Sequence, residues 1–105
     1  MTATERLVTK FMKHHECPNK YIGYLYLKDA LTIILGNHRG RSNMAKDIYP
    51  RAADEYNTSV KNIERCLRHL VDKWWQKNQC GKMFDKRPTN TELLYECIER
   101  IKESA

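Results

Sequence analysis

The stretch from Met44 to Trp75, MAKDIYPRAADEYNTSVKNIERCLRHLVDKWW, decides the fold. Two helical patterns meet in it at a turn. In a helix-turn-helix the helices cross closely, so the first needs a small residue at the crossing and the turn needs one that tolerates positive φ. The second helix needs a branched apolar residue facing the first. Ala53, Asn57 and Ile63 have those characters at separations of four and six residues, the usual spacing of the motif. Asparagine is second only to glycine in accepting the left-handed conformation. The first pattern runs from about Asn43 to Tyr56, with Ser42 as N-cap. Pro50 lies inside it, which predicts a kink or break around Tyr49-Pro50. Asn57-Thr58-Ser59 makes the tight turn. The second pattern, about Val60 to Asn78, is the longest in the chain, and Gly81 helps to end it. The motif thus spans about residues 43–78.

Outward from this motif the periodicity stays near 3.6. Leu7, Val8, Phe11 and Met12 form one apolar stripe on a helix from about Thr4 to His15, which Cys17-Pro18-Asn19 ends. A second helix, about Lys20 to Leu35, carries Tyr24, Leu27, Leu31 and Ile34 on one face. With Tyr21, Leu25, Tyr26 and Ile33 it is apolar nearly all round, as a central helix would be. Gly36 to Arg41 reads as a loop. A capping box, Thr89 as N-cap and Glu92 at N3, opens a last helix carrying Leu93, Leu94, Cys97, Ile98 and Ile101. The fold class is therefore all-α, a bundle of about five helices, and 105 residues predict a single domain, 1–105.

The charge is unevenly placed. The chain carries 19 Lys and Arg against 13 Asp and Glu. Residues 57–82 hold six of the former and two of the latter, a local surplus of four. On a helical wheel Ile63, Leu67, Leu70, Val71 and Trp74 occupy a sector of about 100°, wide enough to dock on a core. The opposite arc collects Lys61, Glu64, Arg65, Arg68 and His69 in the first three turns, the part of a recognition helix that reaches base edges in the major groove. Arg can make a bidentate contact to guanine, Glu can accept from cytosine, and Asn62 can pair with adenine or reach a phosphate. Base contacts are thus expected from Lys61, Asn62, Glu64, Arg65, Arg68 and His69. Phosphate contacts are expected from Thr58 and Ser59 at the helix N-terminus, and from Arg39, Arg41, Lys73, Lys77 and Lys82. A solvated helix face with a Glu64–Arg68 pair would look similar. The motif spacing and the local surplus favour double-stranded DNA.

Other chemistries lack a signal. His14, His15, Glu16 and Cys17 form one cluster of ligand-type side chains, but no second cluster has metal spacing, and no nucleophile, phosphate loop or paired acid motif is present. No catalysis, metal or cofactor is expected. Cys17, Cys66, Cys80 and Cys97 include no C-x-x-C pair, which predicts a reduced, cytoplasmic setting, with Cys66 and Cys97 in the core. The apolar run from Tyr21 to Leu35 is broken by Lys28 and Asp29 and is too short to span a bilayer.

Ile48-Tyr49-Pro50 through Tyr56-Asn57-Thr58, then Ile63-Glu64-Arg65-Cys66-Leu67-Arg68-His69 with Trp75, and Arg87-Pro88-Thr89-Asn90-Thr91-Glu92, resemble the C-terminal DNA-binding effector domain of stage-zero sporulation protein A, a response regulator of sporulation. Tyr21 to Leu27 resembles that family's second helix. The resemblance implies an all-helical domain that binds promoter DNA and regulates transcription, as tandem copies or a homodimer on DNA and with RNA polymerase as a partner. It implies that Glu64, Arg65, Arg68 and His69 face DNA. Asn62 departs from the family's usual Arg. The three residues ahead of Thr4 are too few to form the receiver domain of the family's regulators, so control by phosphorylation is not expected within these 105 residues. The connection from Trp75 to Pro88 is about ten residues shorter than the family pattern, which predicts the loss of a short helix. A second reading is a protein-interaction module that pairs with a full-length sporulation regulator without binding DNA itself.

Overall fold

A computed structural model of the chain describes residues 2–36 and 47–104. These form five helices and no strand: α1 (Ala3–His14), α2 (Ile22–Gly36), α3 (Tyr49–Glu55), α4 (Val60–Lys82) and α5 (Asn90–Ser104). The expected N-cap Ser42, the start of the third helix at Asn43, Arg39 and Arg41 lie outside the described residues.

Thr2 caps α1 by accepting a hydrogen bond from the Glu5 amide at 3.1 Å, which satisfies one of the orphan donors at a helix start. Val8, Phe11 and Met12 are buried as the stripe requires, but Leu7 is 41% exposed. The helix ends in a Schellman motif. The Cys17 amide donates to the Met12 carbonyl and the Glu16 amide to that of Lys13, with Glu16 at φ 51°.

Helix α2 starts at Ile22, two residues later than its periodicity suggests, and packs against each of the other four helices. Its closest approach is to α4. A Cβ at Gly23 would overlap the Cys66 carbonyl oxygen and lie 2.9 Å from Leu70 Cβ, so backbone rests on backbone there. Not all of its apolar surface is covered: Ile22 and Leu25 are exposed.

The α-helical part of the third element begins at Tyr49, with Pro50 in its first turn. Proline is tolerated there because its missing N–H would have no intrahelical partner. At the far end Tyr56 is tied to α2. Its hydroxyl donates to the Asp29 carboxylate and its ring meets Tyr26 edge-on at 5.0 Å. Burial, then that carboxylate, push the hydroxyl above its ordinary range.

Helix α4 supplies Ile63, Leu67, Leu70, Val71 and Trp74 to the core, with Trp74 fully enclosed. The indole N–H donates to the His15 carbonyl at 3.1 Å, so the largest core side chain leaves no polar atom unsatisfied. Regular geometry ends before Asn78 (φ −158°). Gln79, Cys80, Gly81 and Lys82 then all have positive φ, a single left-handed turn that costs roughly 1–2 kcal/mol for each non-glycine residue. Asn78 holds it from both ends of its amide: Oδ1 accepts from the Gly81 amide at 2.7 Å and Nδ2 donates to the His15 carbonyl at 3.3 Å. The His15 ring meets the Gly81 carbonyl at 3.3 Å. No further helix stands between this turn and α5 among the described residues, as the short connection requires.

The capping box of α5 is present in both halves. The Glu92 amide donates to Thr89 Oγ1 at 3.2 Å, and the Thr89 amide to Glu92 Oε1 at 2.9 Å. Those bonds hold the Glu92 carboxyl below its usual range. Leu93, Leu94, Cys97, Ile98 and Ile101 are buried.

Candidate nucleic-acid interface

The turn between α3 and α4 is a second Schellman motif, and the residues singled out by spacing build it. Asn57 sits at C′ with φ 51°. The Thr58 amide donates to the Ala53 carbonyl at 2.8 Å and the Asn57 amide to that of Asp54 at 3.3 Å. Ala53 is buried at the crossing and Ile63 is buried facing it. Ser59 caps α4 by accepting from the Asn62 amide at 3.1 Å. Its hydroxyl proton, and the unpaired amides of the first turn, are left for an external acceptor.

Lys61, Arg65, Arg68 and His69 are all exposed. Glu64 is half-buried at the edge of this arc, and it makes no ion pair with Arg68: among the described residues the ion pairs are Arg87–Asp72 and Arg100–Glu96. The charges on this face are therefore not spent on one another. Asn62 is different. Its Nδ2 donates to Thr58 Oγ1 at 3.0 Å and its Oδ1 accepts from Arg65 Nη2 at 2.5 Å, so its amide is engaged within the turn.

Two residues outside α4 brace its exposed face, and single-helix periodicity does not show them. Arg87 lies 3.4 Å from the Asp72 carboxylate and donates to the Arg68 carbonyl at 3.2 Å. Asn90 donates to the Glu64 carbonyl at 3.0 Å. It also bonds to Tyr49, whose hydroxyl burial pushes up and this bond pulls down. The one available signal was Asp72, a carboxylate in the middle of a basic arc that needs a cation from elsewhere.

The expected phosphate contacts separate in space. Thr58 and Ser59 stand at the N-terminus of α4. Lys73 and Lys77 turn to the flank and line a cleft with Lys13 and Lys20. Lys77 lies about 24 Å along the axis from Lys61, at the usual rise per residue. Lys82 is on the left-handed turn.

Cys17, Cys80 and Cys97 are buried and Cys66 is half-buried at the rim of the core; all four are free thiols. Burial pushes Cys80 up to about 12 and raises Cys17 and Cys97 as well, which keeps these thiols protonated and unreactive. His14 is exposed and meets the His15 ring edge-on at 5.0 Å. Among the described residues no group of three His, Cys, Asp or Glu side chains could hold a metal ion. No helix among them is long and apolar enough to cross a membrane. In comparison with known proteins, the model of the family described as sporulation initiation factor Spo0A C terminal matches residues 8–101.

Proposed function

The chain belongs to the family of sporulation initiation factor Spo0A C-terminal domains, a family of DNA-binding domains, and on that premise we propose that it binds double-stranded promoter DNA sequence-specifically and regulates transcription. The first three turns of α4 lie in the major groove. Lys61, Glu64, Arg65, Arg68 and His69 reach base edges there, joined by Asn62 if its amide leaves Thr58. Arg68 and Arg65 read guanine and Glu64 accepts from cytosine. Thr58, Ser59, Lys73, Lys77 and Lys82 hold phosphates, and so do Arg39 and Arg41 from the preceding loop. Contact with RNA polymerase, and copies side by side on repeated sites, belong to the same proposal and rest on family membership. So does action in the cytoplasm, where the promoters are.

One observation carries this reading: Lys61, Arg65, Arg68 and His69 stand exposed on the face of α4 opposite its buried side, beside main-chain carbonyls that Arg87 and Asn90 hold. The test is a titration of the purified chain against promoter and scrambled duplexes at two salt concentrations. If about four phosphates are contacted, affinity falls by at least about tenfold from roughly 50 to 200 mM salt. Arg68→Ala costs about 1–3 kcal/mol on the preferred sequence and narrows its margin over random DNA. A chain that ignores every duplex in dilute buffer overturns the proposal.

A further inference from the structure

Four lysines share one cleft, and among the described residues none of them is ion-paired with a carboxylate. Lys13 from the last turn of α1, Lys20 from the link to α2, and Lys73 and Lys77 from α4 line a space of about 690 Å³ with Tyr21 and Tyr24. Glu16 is the only carboxylate on its wall, and none of the ion pairs among the described residues involves it or these lysines. Like charges gathered without counter-charges raise the local concentration of anions. The cleft is also continuous with the recognition face. Tyr21 meets the His69 ring edge-on at 5.2 Å, and the Lys20 ammonium lies 5.5 Å from the centre of the Tyr21 ring.

From this placement we propose that the cleft holds the phosphodiester backbone of DNA beyond the stretch read by α4, which makes Lys13 and Lys20 phosphate contacts alongside Lys73 and Lys77. The inference rests on the DNA-binding reading and extends its footprint to α1 and the α1–α2 link. The chemistry suits the ligand. Lysine is a flexible point charge that holds phosphate without imposing fork geometry, and phosphate contacts position a protein without reading sequence. A polyanion lying along the exposed arc of α4 is led past Tyr21 into a cleft of opposite charge.

The experiment uses the full chain and its Lys13→Gln/Lys20→Gln variant. Both positions are exposed, so the melting temperature is expected to be unchanged. The probe is a duplex selected by the wild-type chain from a randomised pool, once with about ten flanking base pairs on each side and once trimmed to the selected core. On the flanked duplex, loss of two phosphate contacts lowers the slope of log affinity against log salt by about 1.8, so that binding is weakened more at low salt than at high salt. On the trimmed duplex, wild type and variant agree. An unchanged slope on the flanked duplex, or an equal loss on both, overturns the inference while leaving α4 as reader. So does inorganic tripolyphosphate that binds the DNA-free chain tightly at these lysines while the duplex slopes stay equal, because the cleft then serves a small anion. A wild-type chain that enriches no sequence and binds no duplex fails at the earlier step, the DNA reading itself.

Discussion

Asn57 is the residue on which the entry into α4 turns. At φ 51° its backbone stands in a region that costs L-residues about 1–2 kcal/mol, and asparagine bears that cost better than most residues with a Cβ. The cost is offset by the two amide-to-carbonyl bonds that close α3 and by the Ser59 cap that opens α4. Asn57→Gly is therefore expected to be neutral or to stabilise by up to about 1 kcal/mol, and Asn57→Val to destabilise by about 1–2 kcal/mol. Thermal unfolding of the two variants checks this, and a clear loss with glycine would contradict the turn geometry. Ala53, Asn57 and Ile63 were legible in the sequence because what they do is local: each role follows from side-chain size or backbone freedom at a fixed offset. Asn62 was less so, since its amide has a partner, Thr58, that could equally have been water or a base.

At the scale of elements, α4 is held by straps from the connection ahead of α5. Arg87 pairs with Asp72, the carboxylate in the middle of the exposed arc, and grips the Arg68 carbonyl. The ion pair is well exposed, with side-chain accessibilities of 37% and 43%, so it contributes under about 1 kcal/mol to stability. Its effect is on the field that DNA meets. Arg87→Ala uncovers Asp72 beside Arg68 and His69 and is expected to weaken every duplex about equally, by several-fold, with little change in melting temperature. Asp72→Asn in the same chain recovers most of that loss, and a double-mutant cycle on binding measures the coupling. A loss that Asp72→Asn leaves untouched would mean that Arg87 contacts DNA directly. These straps, and the lysine cleft, join residues far apart in sequence. Periodicity reports which face of a helix is apolar, but not which distant side chain arrives at the polar one, and this is why Arg87, Asn90, Lys13 and Lys20 were not among the expected site residues. The same limit explains Leu7, apolar at the right spacing yet 41% exposed.

At the scale of the whole molecule, the end of α1 and the end of α4 are fastened by one histidine. The His15 carbonyl accepts from Trp74 and Asn78 while its ring meets the Gly81 carbonyl. Burial holds the ring below its ordinary 6.5, the charges of His14 and Arg100 act in the same direction, and the Gly81 bond opposes them. The folded chain thus takes up this proton less readily than the unfolded one. The associated stability is complete above pH 6.5 and is lost as pH falls through the lower folded-state value. The melting temperature is expected to decline from about pH 7.5 to about pH 5, and His15→Gln to flatten part of that decline. An identical decline in the variant would assign the effect to other groups. The overall architecture was legible from apolar spacing, capping residues and the proline and glycine positions; the left-handed turn after Lys77 was not, because Gln79, Cys80 and Lys82 carry no preference for it and adopt it through Asn78 and His15. The contact at Gly23 has a mechanical consequence. Where two main chains touch, no rotamer can relax to shift one past the other, so the bearing of α4 on the globule is set by peptide planes. Drift among the surrounding aliphatic side chains can soften the interior without re-aiming it.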